Sequence, residues 1–591
     1  MTAPASTTEK VVYMFALIED DKLVMDPART GRVYGGSADD FDSFVTPMIE
    51  EDRYFVRDWV FLVPENPIRY APPLTLWDRV ATDSVEYYTG KWINWEDGPF
   101  PAPYQRKGLV SVFVVPSSQY KLLNEERDKL TELRMKNLSK HPEKAPSTGA
   151  KVSTFITDNE SAPIAIGRPK KKDFYPVPIS LLQNEFAQFR EDIVSGPLDR
   201  ELTPLACKWR NELSGYFAVE SEREAKFHEL LSELLDDLKV SKKKIGSYTT
   251  DGGIDLMDVV ELLVAPLLIE VKAEFTQSSC EGIFELVLYY LEGTRRILRD
   301  DAFKGDWRKT RLPSLLLIHN GPNVQALGAV DIGETYMEPL SPSIPLYFNE
   351  FDTVSMESLI RFMTALRRLF RSLYAIYQKP NDHAVDVDQV KYPHIRSYQS
   401  SSGTTVPFTY IERVSQIRLV FTACTEEGRK IIVKFGYGRY GVDAHKAAAL
   451  SGLAPALLNH TNLPGGWWMV VMDPLEDDFL PCDEIDNLER LCKDAIENAL
   501  SEFHKLGYVH GDLRDTNVFV RFYEGQWQCR IIDYDWAGRE GEVVYPIGVY
   551  STSQVWRPGR YMDGHLITSE HDCSTVKEFL LQRTEVINRF A

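Results

Sequence analysis

The residues best suited to chemistry lie late in the chain, in His510-Gly-Asp512, in Asn517 and in Asp533. Asp512 and Asn517 are five residues apart, and Asp533 follows after two short apolar runs separated by a polar turn. This spacing predicts phosphoryl transfer, in which Asp512 orients or deprotonates an acceptor hydroxyl while Asn517 and Asp533 hold Mg²⁺ against nucleotide phosphates. Because that reaction needs positioning and charge neutralisation more than covalent chemistry, two carboxylates and one amide suffice.

A phosphate-binding lysine is expected upstream, on a strand. Lys434 stands near the end of a β-branched run at 429–435, which predicts a strand that carries the ammonium group to the phosphates. An Ala-rich helix follows, with Asp443 as its predicted N-cap. This helix holds no Glu to pair with Lys434, so Asp443 or His445 would have to substitute, or the pair does not exist. The run 470–475 predicts a strand that leads into an adenine-binding hinge.

With these features, the segment 395–591 resembles the eukaryotic-like kinase superfamily and, more narrowly, the kinase-like domain of Crinkler-type fungal proteins. The resemblance implies a two-lobed domain that uses ATP and Mg²⁺, with Lys434, Asp512, Asn517 and Asp533 as its functional residues. It also implies that Asp572 braces the catalytic loop. Further landmarks of the resemblance are Val433-Lys434-Phe435, Tyr440-Gly441-Val-Asp-Ala-His445, Gly452-Leu-Ala-Pro455, Asp533-Tyr-Asp-Trp536, Trp556-Arg-Pro-Gly559 and Glu570-His-Asp572.

The segment departs from the kinase pattern at several positions. No glycine-rich loop is present at 412–418, Gly511 replaces the usual Arg, and Asp535 replaces a Gly. Nineteen residues follow Asp572, which predicts a short C-lobe. A short C-lobe with His-Gly-Asp also resembles phosphotransferases that act on small molecules, so the substrate class stays open. We expect a Ser/Thr residue of a protein as the acceptor ahead of a small molecule, with a catalytically weak, nucleotide-binding effector scaffold as an alternative.

A second group of candidate residues lies in the middle of the chain. An apolar run at 267–271 predicts a strand, and side chains two apart on a strand share a face, so Glu270 and Lys272 lie together. A carboxylate and an ammonium in this arrangement can bind a divalent metal and polarise a water for phosphodiester hydrolysis. Asp251, in a predicted turn upstream, would complete the metal site.

The order of Asp turn, Glu-Val-Lys strand, helix and apolar strand resembles the restriction-endonuclease-like, or PD-(D/E)XK, fold. That resemblance implies a metal-dependent nuclease with Asp251, Glu270 and Lys272 at its centre and DNA as a partner. Glu274 and Glu285 fit further positions of the pattern. Two choices stay open: Asp255 and Asp258 are rivals for the role of Asp251, and either Glu222 or Glu224 could add a carboxylate.

The charge of the middle segment opposes DNA binding. Residues 151–340 hold 31 acidic and 23 basic residues, a net charge of −8, whereas DNA affinity comes mainly from phosphate neutralisation. Basic clusters at 168–172, at 242–244 and at Arg295-Arg296 are expected to be solvated. The first could also serve as a nuclear-import signal.

Composition sets the remaining limits. The chain has 591 residues, a net charge of −20 and 43% hydrophobic residues, which predicts about three or four domains with cores of their own. The resemblances described above imply that the fold is multidomain α/β and α+β. Its seven scattered cysteines fit a reducing compartment. We see no conventional signal peptide and no transmembrane segment, so an intracellular site, cytoplasmic or nuclear, is expected; oligomeric state is not predicted.

The predicted organisation has four parts. Residues 1–115 form a small α/β header that resembles a ubiquitin-like header, and 116–160 form a charged helix and a linker. Residues 161–377 form the restriction-endonuclease-like domain, and 395–591 form the kinase-like domain. This order resembles the nuclease-plus-kinase architecture of Crinkler-type effectors, which implies a role in conflict with other cells.

Overall fold

The computed structural model describes most of the chain after residue 128 and selected strands before it. The described residues are 10–19, 22–25, 34–37, 59–62, 68–69, 109–110, 112–116, 129–168, 174–245, 248–254, 266–274, 280–299, 306–485, 488–548 and 563–590. Asp255, Asp258, residues 169–172 of the basic cluster, the landmark at 556–559 and most of the predicted header lie outside them. The chain forms two compact units, Met1–Glu132 and Leu133–Ala591. Among the helices of the described part, none has the length and apolar character needed to cross a membrane.

The first unit contains a mixed β-sheet. Its strands run in the order β2-β1-β7-β4. β3 also pairs with β1, through residues 10–13, and β1 and β7 are parallel. The strands are β1 (Lys10–Glu19), β2 (Lys22–Met25), β3 (Tyr34–Ser37), β4 (Trp59–Leu62), β5 (Ile68–Arg69), β6 (Leu109–Val110) and β7 (Val112–Pro116).

The second unit begins with a seven-stranded sheet covered by helices. Its strand order is β13-β12-β11-β10-β9-β8, with β14 beside β12, and β10 and β11 are parallel. The strands are β8 (Ser241–Ile245), β9 (Tyr248–Gly253), β10 (Leu267–Lys272), β11 (Ser314–Asn320), β12 (Asn323–Asp331), β13 (Thr335–Pro339) and β14 (Ile344–Pro345). Every residue of β10 is buried, which is expected of a central strand that is covered on both faces.

Helices flank this sheet. The charged helix predicted within 116–160 is described only from residue 129. The helices are α1 (Lys129–Leu138), α2 (Pro146–Gly149), α3 (Val152–Ser161), α4 (Ile179–Leu182), α5 (Asn184–Ser195), α6 (Thr203–Leu213), α7 (Glu220–Leu234), α8 (Gly282–Arg299) and α9 (Thr353–Gln378). The N-cap of α9 is Asp352, whose side chain accepts a hydrogen bond from Ser355 N at 3.0 Å.

A second, antiparallel sheet follows in the order β15-β16-β17-β18-β20-β19. Its strands are β15 (Ser397–Gln399), β16 (Thr405–Arg413), β17 (Val420–Thr425), β18 (Lys430–Tyr437), β19 (Leu457–Asn462) and β20 (Trp467–Met472). Helix α10 (Val442–Leu450) follows β18 directly. The N-cap of α10 is Gly441 rather than Asp443, so the predicted cap was wrong. The strand predicted at 470–475 ends at Met472.

The last part of the chain carries the His510-Gly-Asp512 motif between helices and short strands. These elements are β21 (Leu480–Pro481), α11 (Leu488–Lys505), β22 (Tyr508–Val509), β23 (Val518–Tyr523), β24 (Gln526–Ile531), β25 (Gly538–Arg539) and α12 (Ser569–Phe590). The polar turn between β23 and β24 has positive φ at Glu524 and Gly525. Positive φ at both central residues is the geometry of a tight hairpin that matches the strand twist.

The two sheets of the second unit are joined by direct contacts. Buried Arg311, before β11, donates to the carbonyls of Leu182 at 2.7 Å, Val390 at 3.0 Å and Tyr392 at 2.8 Å. Trp467 Nε1, on β20, donates to Ser180 Oγ at 3.0 Å. These bonds fix the connecting segment and the second sheet against α4. The domain boundary predicted between residues 377 and 395 stays a prediction.

Candidate functional site

The His510-Gly-Asp512 loop is held by a buried carboxylate from α12. Asp572 accepts hydrogen bonds from His510 N at 2.7 Å and from Gly511 N at 2.8 Å. His510 Nε2 donates to the Ile532 carbonyl at 3.0 Å, and its Nδ1 accepts from Asp512 N at 3.2 Å. The loop that presents Asp512 is therefore fixed to α12 and to the segment that carries Asp533.

Asp512 and Asn517 are in direct contact. Asn517 Nδ2 donates to the Asp512 carbonyl at 2.9 Å, and Arg514 Nη2 pairs with Asp512 Oδ2 at 2.8 Å. Because the amide nitrogen of Asn517 is committed to Asp512, its amide oxygen is the atom that can bind a cation. The Asn517 carbonyl accepts from Ile532 N at 3.0 Å, which places Asp533 next to this pair.

Lys434 from β18 contacts the metal-binding candidate Asp533. Lys434 pairs with Asp533 and with Asp535, and Arg418 pairs with the second oxygen of Asp533. Burial opposes ionisation of Asp533, but the charges of Lys434 and Arg418 outweigh it and hold its pKa well below the usual range. Burial raises the pKa of Asp535, and the charge of Lys434 offsets this only in part. Asp533 is thus the ionised carboxylate of the pair.

Neither Asp443 nor His445 pairs with Lys434 in the way that the sequence had suggested. Asp443 is exposed, whereas His445 is occupied by Tyr440 OH at 2.8 Å from Nδ1 and by the Pro455 carbonyl at 3.0 Å from Nε2. Burial lowers the pKa of His445 to about 4, so its ring is neutral near pH 7. Asp535 supplies the carboxylate that α10 lacks.

The fit of this site to Mg²⁺ follows from its donor atoms. Asn517 and Asp533 offer an amide oxygen and an ionised carboxylate, which are the hard ligands that Mg²⁺ takes, with phosphate and water completing its shell. Within the described part of the chain, no group of three or more His, Cys, Asp or Glu side chains is arranged to hold a metal. A site with two protein ligands does not require such a group.

The second site brings together Asp251, Glu270 and Lys272 on β9 and β10. Asp251 Oδ2 accepts from Val271 N at 2.9 Å. Lys272 pairs with Glu270, and its Nζ lies 3.0 Å from Glu285 Oε2 on α8. The strand alternation that predicted Glu270 and Lys272 on one face is therefore matched by a direct ion pair.

Helix α7 adds carboxylates to this second site. Glu224 is buried, pairs with Lys242 at 2.8 Å and acts electrostatically on Asp251, whereas Glu222 is exposed. Glu224 is thus the nearer of the two candidates, and its role as a further ligand stays a prediction. Glu274 pairs with Arg223 at 2.9 Å instead of joining the cluster. Glu220 had no predicted role, yet the charges of Lys272 and Asp251 both act on its carboxyl.

The electrostatics of the second site favour a cation. Burial, and then the charge of Asp251, raise the pKa of Glu270 well above its usual range. Burial also raises the pKa of Asp251. The Glu270 carboxyl is 2% exposed, and a divalent ion would relieve the crowding of buried carboxylates that these shifts express. Asp251 and Glu270 would be its protein ligands.

Three residues of the first site were missed by the sequence interpretation: Arg418, Arg514 and Asp535. Asp535 was noted only as a departure from the expected Gly, and an acid two residues after Asp533 was the signal available. Arg418 lies where the glycine-rich loop was expected. A basic residue at that turn, just before β17, the strand that pairs with the strand of Lys434, could have indicated a second cation.

Comparisons with known proteins gave limited matches. No protein-family model matches the chain, and no curated protein matches it. The chain is similar to the solved structure of vaccinia related kinase 3, with 17% identity over 32% of this chain and 66% of that chain and a TM-score of 0.23. It is similar to the Cydia pomonella granulovirus kinase PK-1, with 16% identity over 29% of this chain and 68% of that chain and a TM-score of 0.22. We therefore base the function on the residues of the sites.

Proposed function

We propose that the C-terminal segment, residues 395–591, is an ATP- and Mg²⁺-dependent phosphotransferase of the protein-kinase-like type. The observation that carries this proposal is the meeting of Lys434, Asp512, Asn517 and Asp533, which come from four separate positions in the sequence. Lys434 and Asp533 are in contact, Asn517 bonds Asp512, and the Asn517 carbonyl receives Ile532 N. Phosphoryl transfer in kinases uses a lysine, an amide and two carboxylates in these roles.

Each residue of the site has a distinct role in the proposed reaction. Lys434 binds phosphate oxygens, and this interaction replaces part of its ion pair with Asp533. Asn517 and Asp533 would hold Mg²⁺, which when bound neutralises charge on the phosphates. Asp512 orients the acceptor hydroxyl and takes its proton as the oxygen bonds to the γ-phosphorus and the bond to ADP breaks. Arg514, at 2.8 Å from Asp512 Oδ2, fixes the carboxylate for that task.

We propose a Ser or Thr hydroxyl of a protein as the acceptor. A nuclear or cytoplasmic effector role of the Crinkler type, in which this segment follows a nuclease-like domain, is part of the same proposal. It rests on the motifs that the sequence shares with those fungal proteins.

The test is transfer of label from γ-labelled ATP to protein in the presence of Mg²⁺. Asp512→Asn should lower the rate by about 10²- to 10⁴-fold, the usual contribution of a positioned general base, and Asp533→Asn should abolish it. Asp477→Asn, an exposed Asp before α11, is the matched control and should match wild type. Unchanged transfer by a folded Asp512→Asn variant would exclude the proposed role of this residue. Nucleotide-dependent stabilisation without any transfer would favour the scaffold alternative.

A second candidate function, a metal-dependent nuclease, is favoured by one observation in the middle domain. Lys272 lies between Glu270 and Glu285, beside Asp251, inside a buried carboxylate cluster. With a divalent ion on Asp251 and Glu270, Lys272 would polarise the attacking water. The net charge of −8 between 151 and 340 limits the affinity for DNA.

Plasmid nicking with Mg²⁺ tests the nuclease candidate. Glu270→Ala should abolish nicking, whereas Glu222→Ala, on the exposed face of α7, should leave it at the wild-type rate. Nicking that survives Glu270→Ala would assign the activity elsewhere.

A further inference from the structure

The turn between β16 and β17, residues 414–419, carries Arg418 and contains no glycine. Three of its six backbone amides are already hydrogen-bonded: Val414 N donates to Val420 O at 2.9 Å, Arg418 N to Ser415 O at 3.4 Å and Ile417 N to Ser415 Oγ at 3.3 Å. A glycine-rich loop binds phosphates with such backbone donors. In this chain a side chain must supply the positive charge instead.

Arg418 is the side chain that this turn sends into the site. Its guanidinium pairs with one oxygen of Asp533 while Lys434 pairs with the other. Arg418 is 37% exposed, whereas Lys434 is 9% exposed, so Arg418 lies on the open side of the carboxylate. This is the side from which a nucleotide would enter.

Binding of a metal would change the partner of Arg418. Asp533 carries one negative charge and already faces two cations, so a divalent ion at Asp533 would repel the guanidinium. A nucleotide brings the compensating charge, because its phosphates surround the same metal. The planar guanidinium fits two phosphate oxygens at once.

The main chain at Arg418 is fixed from two sides, which leaves the side chain as the mobile part. Arg413 Nε donates to the Arg418 carbonyl at 2.9 Å. The Gln416 carbonyl accepts from Tyr175 N at 2.9 Å, in the segment before α4. A turn held in this way loses little conformational entropy when its side chain binds a ligand.

We propose that Arg418 is a phosphate-binding residue of the nucleotide site, contacting the β- and γ-phosphate oxygens in place of a glycine-rich loop. This inference rests on the proposed phosphotransferase function. Arg418 thus recognises the terminal phosphates of the nucleotide substrate. In the nucleotide-free protein the same side chain covers Asp533.

The test compares dissociation constants for Mg²⁺-ATP, Mg²⁺-ADP, AMP and adenosine by calorimetry on the full chain. Arg418→Ala should weaken ATP and ADP by about 10- to 100-fold, the effect of one charge-assisted hydrogen-bonded contact, and leave adenosine unchanged. Arg418→Lys should bind ATP and ADP with an affinity between those of wild type and Arg418→Ala. Lysine keeps the positive charge but lacks the planar guanidinium that can bind two phosphate oxygens at once. Lys430→Ala, which removes an exposed cation from β18, is the control and should bind like wild type.

Two results would overturn the inference. If Arg418 only neutralises Asp533 in the empty site, Arg418→Ala would bind Mg²⁺-ATP more tightly than wild type. If it only supports the turn, Arg418→Ala would weaken adenosine as much as ATP, and Arg418→Lys would not restore ATP binding. Absence of nucleotide binding by the wild type would instead refute the proposed function. Binding without label transfer still lets the affinity series decide on Arg418.

Discussion

Acidification should destabilise the second unit through His445. This side chain is 1% exposed and stacks on Tyr534 with ring centroids 4.6 Å apart. As a neutral ring, it donates from Nε2 to the Pro455 carbonyl and accepts at Nδ1 from Tyr440 OH. A second ring proton would turn Nδ1 into a donor that faces the hydroxyl hydrogen of Tyr440. It would also place a buried positive charge where α10 packs against the segment that carries Asp533 and Tyr534.

The magnitude follows from the pKa. Burial lowers the pKa of His445 from 6.5 to about 4, the charges of Lys434 and His510 add to this, and the Pro455 carbonyl opposes it. Below pH 6.5 the unfolded chain takes up the proton while the native state does not, so acid favours unfolding. Each pH unit costs about 1.4 kcal/mol, which amounts to about 2 kcal/mol at pH 5 and about 3 kcal/mol near pH 4.

The assay is urea unfolding of wild type and His445→Gln at about pH 7.5 and about pH 5. Gln keeps one donor and one acceptor but has no proton to gain. The variant is expected to be less stable at neutral pH because it loses ring packing, and its deficit should shrink by about 2 kcal/mol at pH 5. Other buried histidines are present in both proteins, so their contributions cancel in the difference. Parallel pH curves for the two proteins would refute the reasoning.

Three further predictions concern the supports of the sites. Asp572→Ala removes the acceptor of two buried amides and should lower the unfolding free energy by about 3 kcal/mol or more. The control Glu570→Ala, at an exposed residue of the same helix, should lower it by under about 1 kcal/mol. Equal losses would mean that only the charge at the helix end matters. Gly511→Ala should cost about 1 to 3 kcal/mol, since Gly511 has φ +80° and an added Cβ would lie 2.7 Å from Ile567; a melting temperature equal to wild type would contradict this. Arg311→Met should leave several buried carbonyls without a donor and lower stability by about 3 kcal/mol or more, measured by urea unfolding; a loss under about 1 kcal/mol would show that water replaces the guanidinium.

Local features of both sites could be predicted from the sequence because chain geometry over a few residues fixes them. Glu270 and Lys272 share a strand face and form an ion pair. Asp512 and Asn517 lie in one loop, and their contact follows from a separation of five residues. The hairpin that precedes Asp533 was indicated by two apolar runs around a polar turn.

Partners from distant parts of the chain could not be predicted in the same way. The sequence left Lys434 with Asp443, His445 or no partner, and the structure pairs it with Asp533 and Asp535, about a hundred residues further on. That pairing depends on how β18 packs against the last part of the chain. No local pattern contains that information.

The sequence by itself determined which residue types stand together over short distances: the Asp-Asn loop, the Glu-Lys strand and the lysine on a buried strand. Only the tertiary structure decided that Glu224 faces the sheet, that Glu274 turns to Arg223 and that Arg418 reaches Asp533. The physical reason is that a long charged side chain has many partners within reach along an unfolded chain. Packing of the helices and sheets selects one of them.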